Sequence, residues 1–371
     1  MEIELIKKIV LVVFAIISIP IVAVFIGFGY ASWKLGKIKT EKQNVNLLSK
    51  EQYEEHFVGF KIIDVVVKNR KCFYFILKNE DVGESRSDVA ARGPENLGQP
   101  DHQIVRITLN EDDSAEIVKS GLKGYEGSLH AEMNYPEEEI FVIDRSATCF
   151  QGKKGIQSSI PSKAKGGPLE GVVKKVKSIG NSPVIVATTN RDLMIRKESE
   201  TWIRLTPEFE EEFSADEGFE DFDGFALDDI YACGGAGVFH FDGTVWKQVG
   251  PQAHLDAICC APDGYVYVTC WIPTRATTYR GRGDKWEKIE DHHDKTFMSY
   301  AKPCLDIIWH DGMIWMSGES DSRVFKDGKV VQVADAPYGG RLSVRDGVLL
   351  SANYSAHWQE EGGDWRPLFD F

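Results

Sequence analysis

The stretch Phe225–Val249, FALDDIYACGGAGVFHFDGTVWKQV, allows few folds. It reads as a short alternating strand over 230–233, a glycine break, a second strand over 238–241, the turn Asp242-Gly243 and a third strand carrying Trp246. An Asp-Gly pair between alternating apolar runs is a strong hairpin signal, because a type I′ turn needs positive φ at both central positions. The cadence recurs with Trp202, Trp286 and Trp365 in the slot of Trp246, at a spacing of roughly forty residues.

Carried along the chain, the same reading gives seven groups of short strands. The first takes 58–67, 72–77, 104–109 and 115–118, with 79–102, rich in Gly, Pro, Asp and Glu, as a long inserted loop. The second has 129–133, 140–143 and 147–150, followed by a basic, glycine-rich stretch at 151–167 read as a solvated loop. The third runs through 172–176, 184–188, 193–196 and 202–205, and the fourth is the opening unit, preceded by an acidic link at 207–223. The fifth takes 257–261, 265–270, 277–280 and 286–289; the sixth takes 305–309, 313–317, 323–325 and 330–333. The seventh closes with 342–344, 348–351, 357–359 and 365–368. Val330 occupies the tryptophan slot of the sixth group, so the junction between groups five and six is expected to be less filled, or filled from elsewhere.

One four-stranded antiparallel sheet cannot bury both of its faces, whereas sheets stacked radially about an axis cover one another and leave few open edges. The expected fold is therefore all-β: a β-propeller of seven four-stranded blades, with six or eight left open, over residues 57–371. The ending Phe241-Asp242-Gly243-Thr244-Val245-Trp246 and the Asp-Gly first turns resemble those of bacterial propellers built from WD-type, Kelch-like and two-component-regulator-type repeats. The resemblance covers residues 57–371 and speaks to the fold. It implies a tryptophan wedge between adjacent blades. It also implies that ligands meet the rim made by the second-to-third strand loops and the blade-to-blade links.

Ahead of the repeats, no charge occurs between Ile9 and Trp33. A helix over 9–33, rising about 1.5 Å per residue, would cross the roughly 30 Å hydrocarbon core, and Pro20 is tolerated in such a helix. The apolar run is longer than that of a cleavable signal peptide. The expectation is a tail at 1–8, one transmembrane helix at 9–33 in a bacterial inner membrane, and a polar tether at 34–56. Lys34, Lys37, Lys39 and Lys42 outnumber Lys7 and Lys8, which favours a cytoplasmic propeller; the very short tail favours the opposite side, and the side is left open.

Fifty-seven acidic residues against 43 basic give a net charge of -14. Such a surface repels phosphate backbones and attracts basic surfaces, so nucleic acid is not an expected partner and a basic protein is. The seven cysteines show no metal-ligand spacing, and no cofactor motif is present, so no cofactor is expected.

Mapped onto the ligand-facing rim, the loops contribute Asn190, Arg191, Trp271, Arg275, Glu319, Asp321, Asn353 and Tyr354, and the links contribute His254, Tyr338 and Arg341. Exposed aromatic and arginine side chains are common anchors for protein partners. The link PEFEEEFSADEGFEDFD at 207–223, with Glu211 and Glu212 at its centre, interleaves carboxylates with Phe209, Phe213, Phe219 and Phe222, a pattern suited to steering and anchoring a basic partner. Enzyme signals are weaker. No nucleophile-elbow glycine pattern occurs, and His292-His293 would point apart in an extended chain. Asp228, Asp256 and Asp306, near innermost strands, could serve as metal ligands, but capping of blade turns is the favoured reading and no metal is expected. Three functions remain: a membrane-anchored protein-binding module, with immunity against a basic secreted toxin as its specialisation; a metal-dependent hydrolase or lactonase with its site in the channel; and an envelope assembly scaffold. The sequence leaves the oligomeric state open.

Overall fold

The computed structural model describes residues 46–371 except 81–100, 153–154, 199–200, 208, 210–216, 273–274, 294–303, 319–320, 334–336 and 338. The predicted span at 9–33 and the candidates Glu211, Glu212, Glu319 and Tyr338 lie outside the described residues, as do the side chains of Trp271 and Arg275. No helix among the described residues is long and apolar enough to cross a membrane.

Residues 60–369 form seven antiparallel sheets of four strands, each with its strands in chain order. The innermost strands are Phe60–Asn69, Leu129–Asn134, Val173–Lys177, Phe219–Ala226, Ala257–Cys260, Cys304–His310 and Arg341–Arg345. Each packs beside the next and the seventh returns to the first, so the ring is closed. Chain preceding the first blade fastens it: the Leu47 and Leu48 N–H groups donate to the Pro367 and Leu368 carbonyls at 3.2 and 2.9 Å, along the outer strand Arg366–Phe369 of blade seven. Ser49 and Gln52 then cap the helix Lys50–His56 reciprocally, each side chain accepting the other's N–H. Phe57, just beyond the helix, packs its ring on Phe75 of blade one and Phe369 of blade seven. Residues 46–56, read from the sequence as part of a tether, thus belong to the closure of the ring.

Each repeated tryptophan sits against the preceding blade. Trp202 meets Phe141 with ring centroids 5.8 Å apart, and Trp365 meets Trp315 at 5.4 Å. Trp246 packs on a cluster that includes Ile185, Ala187 and Leu193 of blade three, and Trp286 on one that includes Tyr231 and Val238 of blade four. At the junction of blades five and six, where Val330 replaces the indole, Tyr267 and Phe325 fill the space with centroids 5.8 Å apart.

Two stretches depart from the sequence reading. Ile156–Ser159, inside the supposed loop at 151–167, is the outer strand of blade two. An outermost strand pairs on one side only, so it needs no apolar alternation, and Ile-Gln-Ser-Ser shows none. In the acidic link, Phe219–Ala226 is the inner strand of blade four. Glu220 is an extra residue there, since Phe219 opposes Gly234 and Asp221 opposes Cys233. The bulge resets the parity, and Phe219 and Phe222 both enter the core although three positions apart.

Candidate functional site

An innermost strand of a propeller pairs on one side and turns its other edge toward the channel, where backbone N–H groups need acceptors. This chain supplies them from carboxylates placed by bulges. Ile63, Glu220 and Leu305 are each the extra residue of a bulge, and each precedes an aspartate: Asp64, Asp221 and Asp306. Asp64 accepts the Val65 N–H on Oδ1 and the Ala131 N–H of blade two on Oδ2, both at 2.9 Å. Asp221 does the same for Phe222 at 2.8 Å and for Ile258 of blade five at 3.1 Å. Asp306 accepts the Leu342 N–H of blade seven at 3.1 Å. Asp223 repeats the two-oxygen pattern without a bulge before it, accepting Gly224 and Cys260 N–H groups at 2.8 Å.

Blade three answers with cations. Within Val-Lys-Lys-Val-Lys at 173–177, Lys175 reaches Asp306 at 3.0 Å and Lys177 reaches Asp221 at 2.8 Å. Blade seven adds Arg345, paired with Glu132 at 3.2 Å and bonded to the Tyr135 hydroxyl, and Arg341. Arg341 donates through Nε to the Ile63 carbonyl and through Nη1 to the Leu305 carbonyl, both at 3.1 Å, so it joins the bulges of the two blades that flank its own. Burial pushes the carboxyls of Asp64, Glu132 and Asp223 upward, opposed by the charges of Lys175, Arg345 and Lys177 respectively. For Asp306 burial is outweighed by Lys175 and Arg341, and its carboxyl is held below the usual range. Burial, reinforced by Lys175 and Arg341, pushes His130 down to about 3, so its ring is neutral at pH 7.

At one mouth of the channel a cavity of about 330 Å³ opens between blades one, two and seven. Lys61, Lys78, Ser128, His130, Arg341, Asn353 and Tyr354 supply its polar lining. Arg341, Asn353 and Tyr354, three of the residues singled out from sequence, meet here, with Tyr354 77% exposed at the rim. The other described candidates lie elsewhere. Asn190 closes a turn, its N–H donating to Thr188 Oγ1 and its amide to Asp192. Arg191 is buried with φ at 54°, donates to the Glu217 carbonyl at 3.0 Å and lies over the Phe239 ring at 4.7 Å, which pins the end of the acidic link. The Asp321 carbonyl accepts the Gly318 N–H, and its carboxylate lies 3.6 Å from Arg323. Trp271 and Arg275 stand at facing strand ends of blade five.

Sequence reasoning missed Lys175, Lys177, Asp64, His130 and Arg345, and placed Asp221 in the acidic link. The available signal was charge recurring inside short strands whose neighbours are apolar, as in Val-Lys-Lys-Val-Lys: on a strand that lines a channel, such charge faces the lumen. Of the three candidate metal ligands, Asp306 is engaged by Lys175 and Leu342, and Asp256 lies 3.4 Å from His254. Among the described residues no group of three or more His, Cys, Asp or Glu is placed to hold a metal ion.

Seven consecutive four-stranded blades closed about a charged channel define a seven-bladed β-propeller. The chain is similar to the β-propeller domain of Myceliophteria thermophila Cps50 (Swd1), with a TM-score of 0.51 at 9% identity over 81% of this chain and 97% of that one. It is similar also to the WD40 β-propeller domain of Doa1, with a TM-score of 0.50 at 9% identity over 84% and 97%. At this identity the likeness speaks to the fold alone. No family model matches the chain. In sequence it is 32% identical over 162 residues to the immune protein Tsi7 of Pseudomonas aeruginosa, a stretch that is 41% of this chain and 49% of the relative. The match therefore spans about half the length of that curated protein.

Proposed function

We propose that this propeller is an immunity protein: a non-catalytic module that binds a toxic protein and blocks it, held at a membrane by residues 9–33. The observation that carries the reading is the 32% identity to the immune protein Tsi7. Two features agree with it. The net charge of -14 favours a basic partner through long-range attraction. In the channel, the bulge-placed carboxylates are occupied by backbone N–H groups and lysines, an arrangement that serves cohesion between blades rather than turnover.

Affinity capture of the detergent-solubilised full-length chain from its native cells tests the proposal, followed by expression of each captured protein with and without the chain. The expected result is a basic protein that arrests growth alone and is harmless in the chain's presence. Capture of envelope assembly machinery without any such rescue would favour the scaffold, and turnover of a lactone or ester panel without a partner would favour the hydrolase. A topology reporter fused after Phe371 decides which side of the membrane carries the propeller.

A further inference from the structure

The mouth cavity runs against the charge of the protein that contains it. Lys61 and Lys78 are direct partners across the first two strands of blade one, so their side chains leave the same face of the sheet about 5 Å apart. Like charges directly opposite on an antiparallel pair are destabilising. Neither lysine has a carboxylate partner among the described residues, and no described Asp or Glu lines the cavity. The chain holds 57 acidic residues, yet none of the described ones is set against these two opposed lysines.

The remaining lining extends the same chemistry. Arg341 enters from blade seven with Nε and Nη1 fixed on two backbone carbonyls. The nearest carboxylate, Asp306 at 3.8 Å, already serves Lys175 at 3.0 Å and the Leu342 N–H at 3.1 Å. Just before it, Gly340 has φ at 143°, and a Cβ there would stand 2.1 Å from the Ala352 carbonyl oxygen; the close approach of these two strands, which carries Arg341 to the mouth, therefore requires glycine. Neutral His130, Asn353 and Tyr354 add uncharged hydrogen-bonding groups around the cations. The volume lies in the range of about 300–1,000 Å³ typical of small-molecule sites.

We infer that the mouth cavity is an anion site, taking the phosphate or carboxylate group of a small organic ligand between Lys61, Lys78 and Arg341. This does not rest on the immunity reading, and the two fail separately. The test is calorimetric titration of the full-length chain in detergent with inorganic phosphate and, separately, with citrate, at constant ionic strength. Saturable one-to-one binding of at least one anion is expected, and which of the two binds more tightly assigns the ligand group as phosphate or carboxylate. Lys61→Gln and Lys78→Gln should each weaken that binding about tenfold, the loss expected for one charge-assisted hydrogen bond, while Lys119→Gln on the outer strand of the same blade should leave it unchanged. Both pocket variants should keep the wild-type melting temperature or exceed it without anion, because each removes the repulsion, and both should need about tenfold more anion for the same anion-induced rise. Absence of saturable binding by either anion, or equal weakening by Lys119→Gln, would overturn the inference.

Discussion

Lys175 of blade three and Asp306 of blade six meet across the channel, Nζ to Oδ1 at 3.0 Å, with both side chains largely buried. The two blades are three places apart in a ring of seven, so this pair is a strut across the lumen rather than a seam between neighbours. Removing one member of a buried pair costs more than the pair contributes, because the survivor keeps its desolvation penalty. Asp306→Asn leaves Lys175 without its partner and weakens the hold on Arg341. A loss of about 3–5 kcal/mol is expected by urea denaturation. Lys175→Met should cost clearly less, since Asp306 still has Arg341 and the Leu342 N–H. Equal losses would mean that the strut, and not the whole Asp306 cluster, carries the stability.

The doubly accepting aspartates explain why an amide is not a substitute. Asp64 and Asp221 each use one oxygen for the next residue's N–H and the other for an N–H of the adjacent blade. An asparagine in the same rotamer aims an NH₂ donor at one of those N–H donors. Asp64→Asn is therefore expected to destabilise by about 1–3 kcal/mol, the cost of an unsatisfied buried group, and Asp221→Asn by more, about 3–5 kcal/mol, because it also takes away the 2.8 Å partner of Lys177. For Asp64 the loss should appear even though neutralising a buried carboxylate by itself is favourable. Hydrogen exchange should show the Ala131 and Ile258 amides losing protection in the respective variants.

Both the strut and the clasps escaped the sequence for one physical reason. Blade count, Asp-Gly turns and tryptophan wedges are local, and residues a few positions apart display them, as with Asp242-Gly243 and Trp246. Position along the radius is not local. By residue type Asp306 suits a metal; its partners come from blades three and seven, 131 and 36 residues away. The bulge at Glu220 hid a whole strand by shifting alternation by one, so the acidic link seemed to run on through Asp223. Of the rim candidates, Arg341, Asn353 and Tyr354 are brought together at the mouth, whereas Arg191 turns inward onto Phe239. No spacing rule separates those outcomes, since a rim position read from the repeat does not say which way its side chain turns.

Protonation should act on the channel in two opposed senses. His130 sits at about 3 in the fold against an ordinary 6.5, so between those values the unfolded chain binds the extra proton. The stability it contributes is complete above pH 6.5 and is lost as pH falls from 6.5 toward 3. The raised carboxyls of Asp64, Glu132 and Asp223 work the other way: the fold takes up protons before the unfolded chain does, and mild acid relieves them. A His130→Gln variant isolates the first effect. Its urea midpoint relative to wild type should rise steadily as pH is lowered from 7 to 4.5, because only the wild type then pays to keep a buried imidazole neutral. Parallel curves for the two proteins would show that His130 is not shielded as the geometry requires.

The tryptophan wedges differ in what surrounds them, and that gives a directional test. Trp202 is 7% exposed and spans blades two and three against Phe141, Val186 and Met194. Trp202→Ala should cost about 3–5 kcal/mol, since neighbouring sheets cannot slide inward to fill the cavity without breaking the ring. The reverse change at the exceptional junction should not help. Val330→Trp inserts an indole where Tyr267, Phe325 and Ile289 already occupy the space, and overpacking of this kind costs about 1–3 kcal/mol. A stabilised Val330→Trp variant would show instead that blades five and six are under-filled, with Tyr267 and Phe325 a loose replacement for the missing wedge.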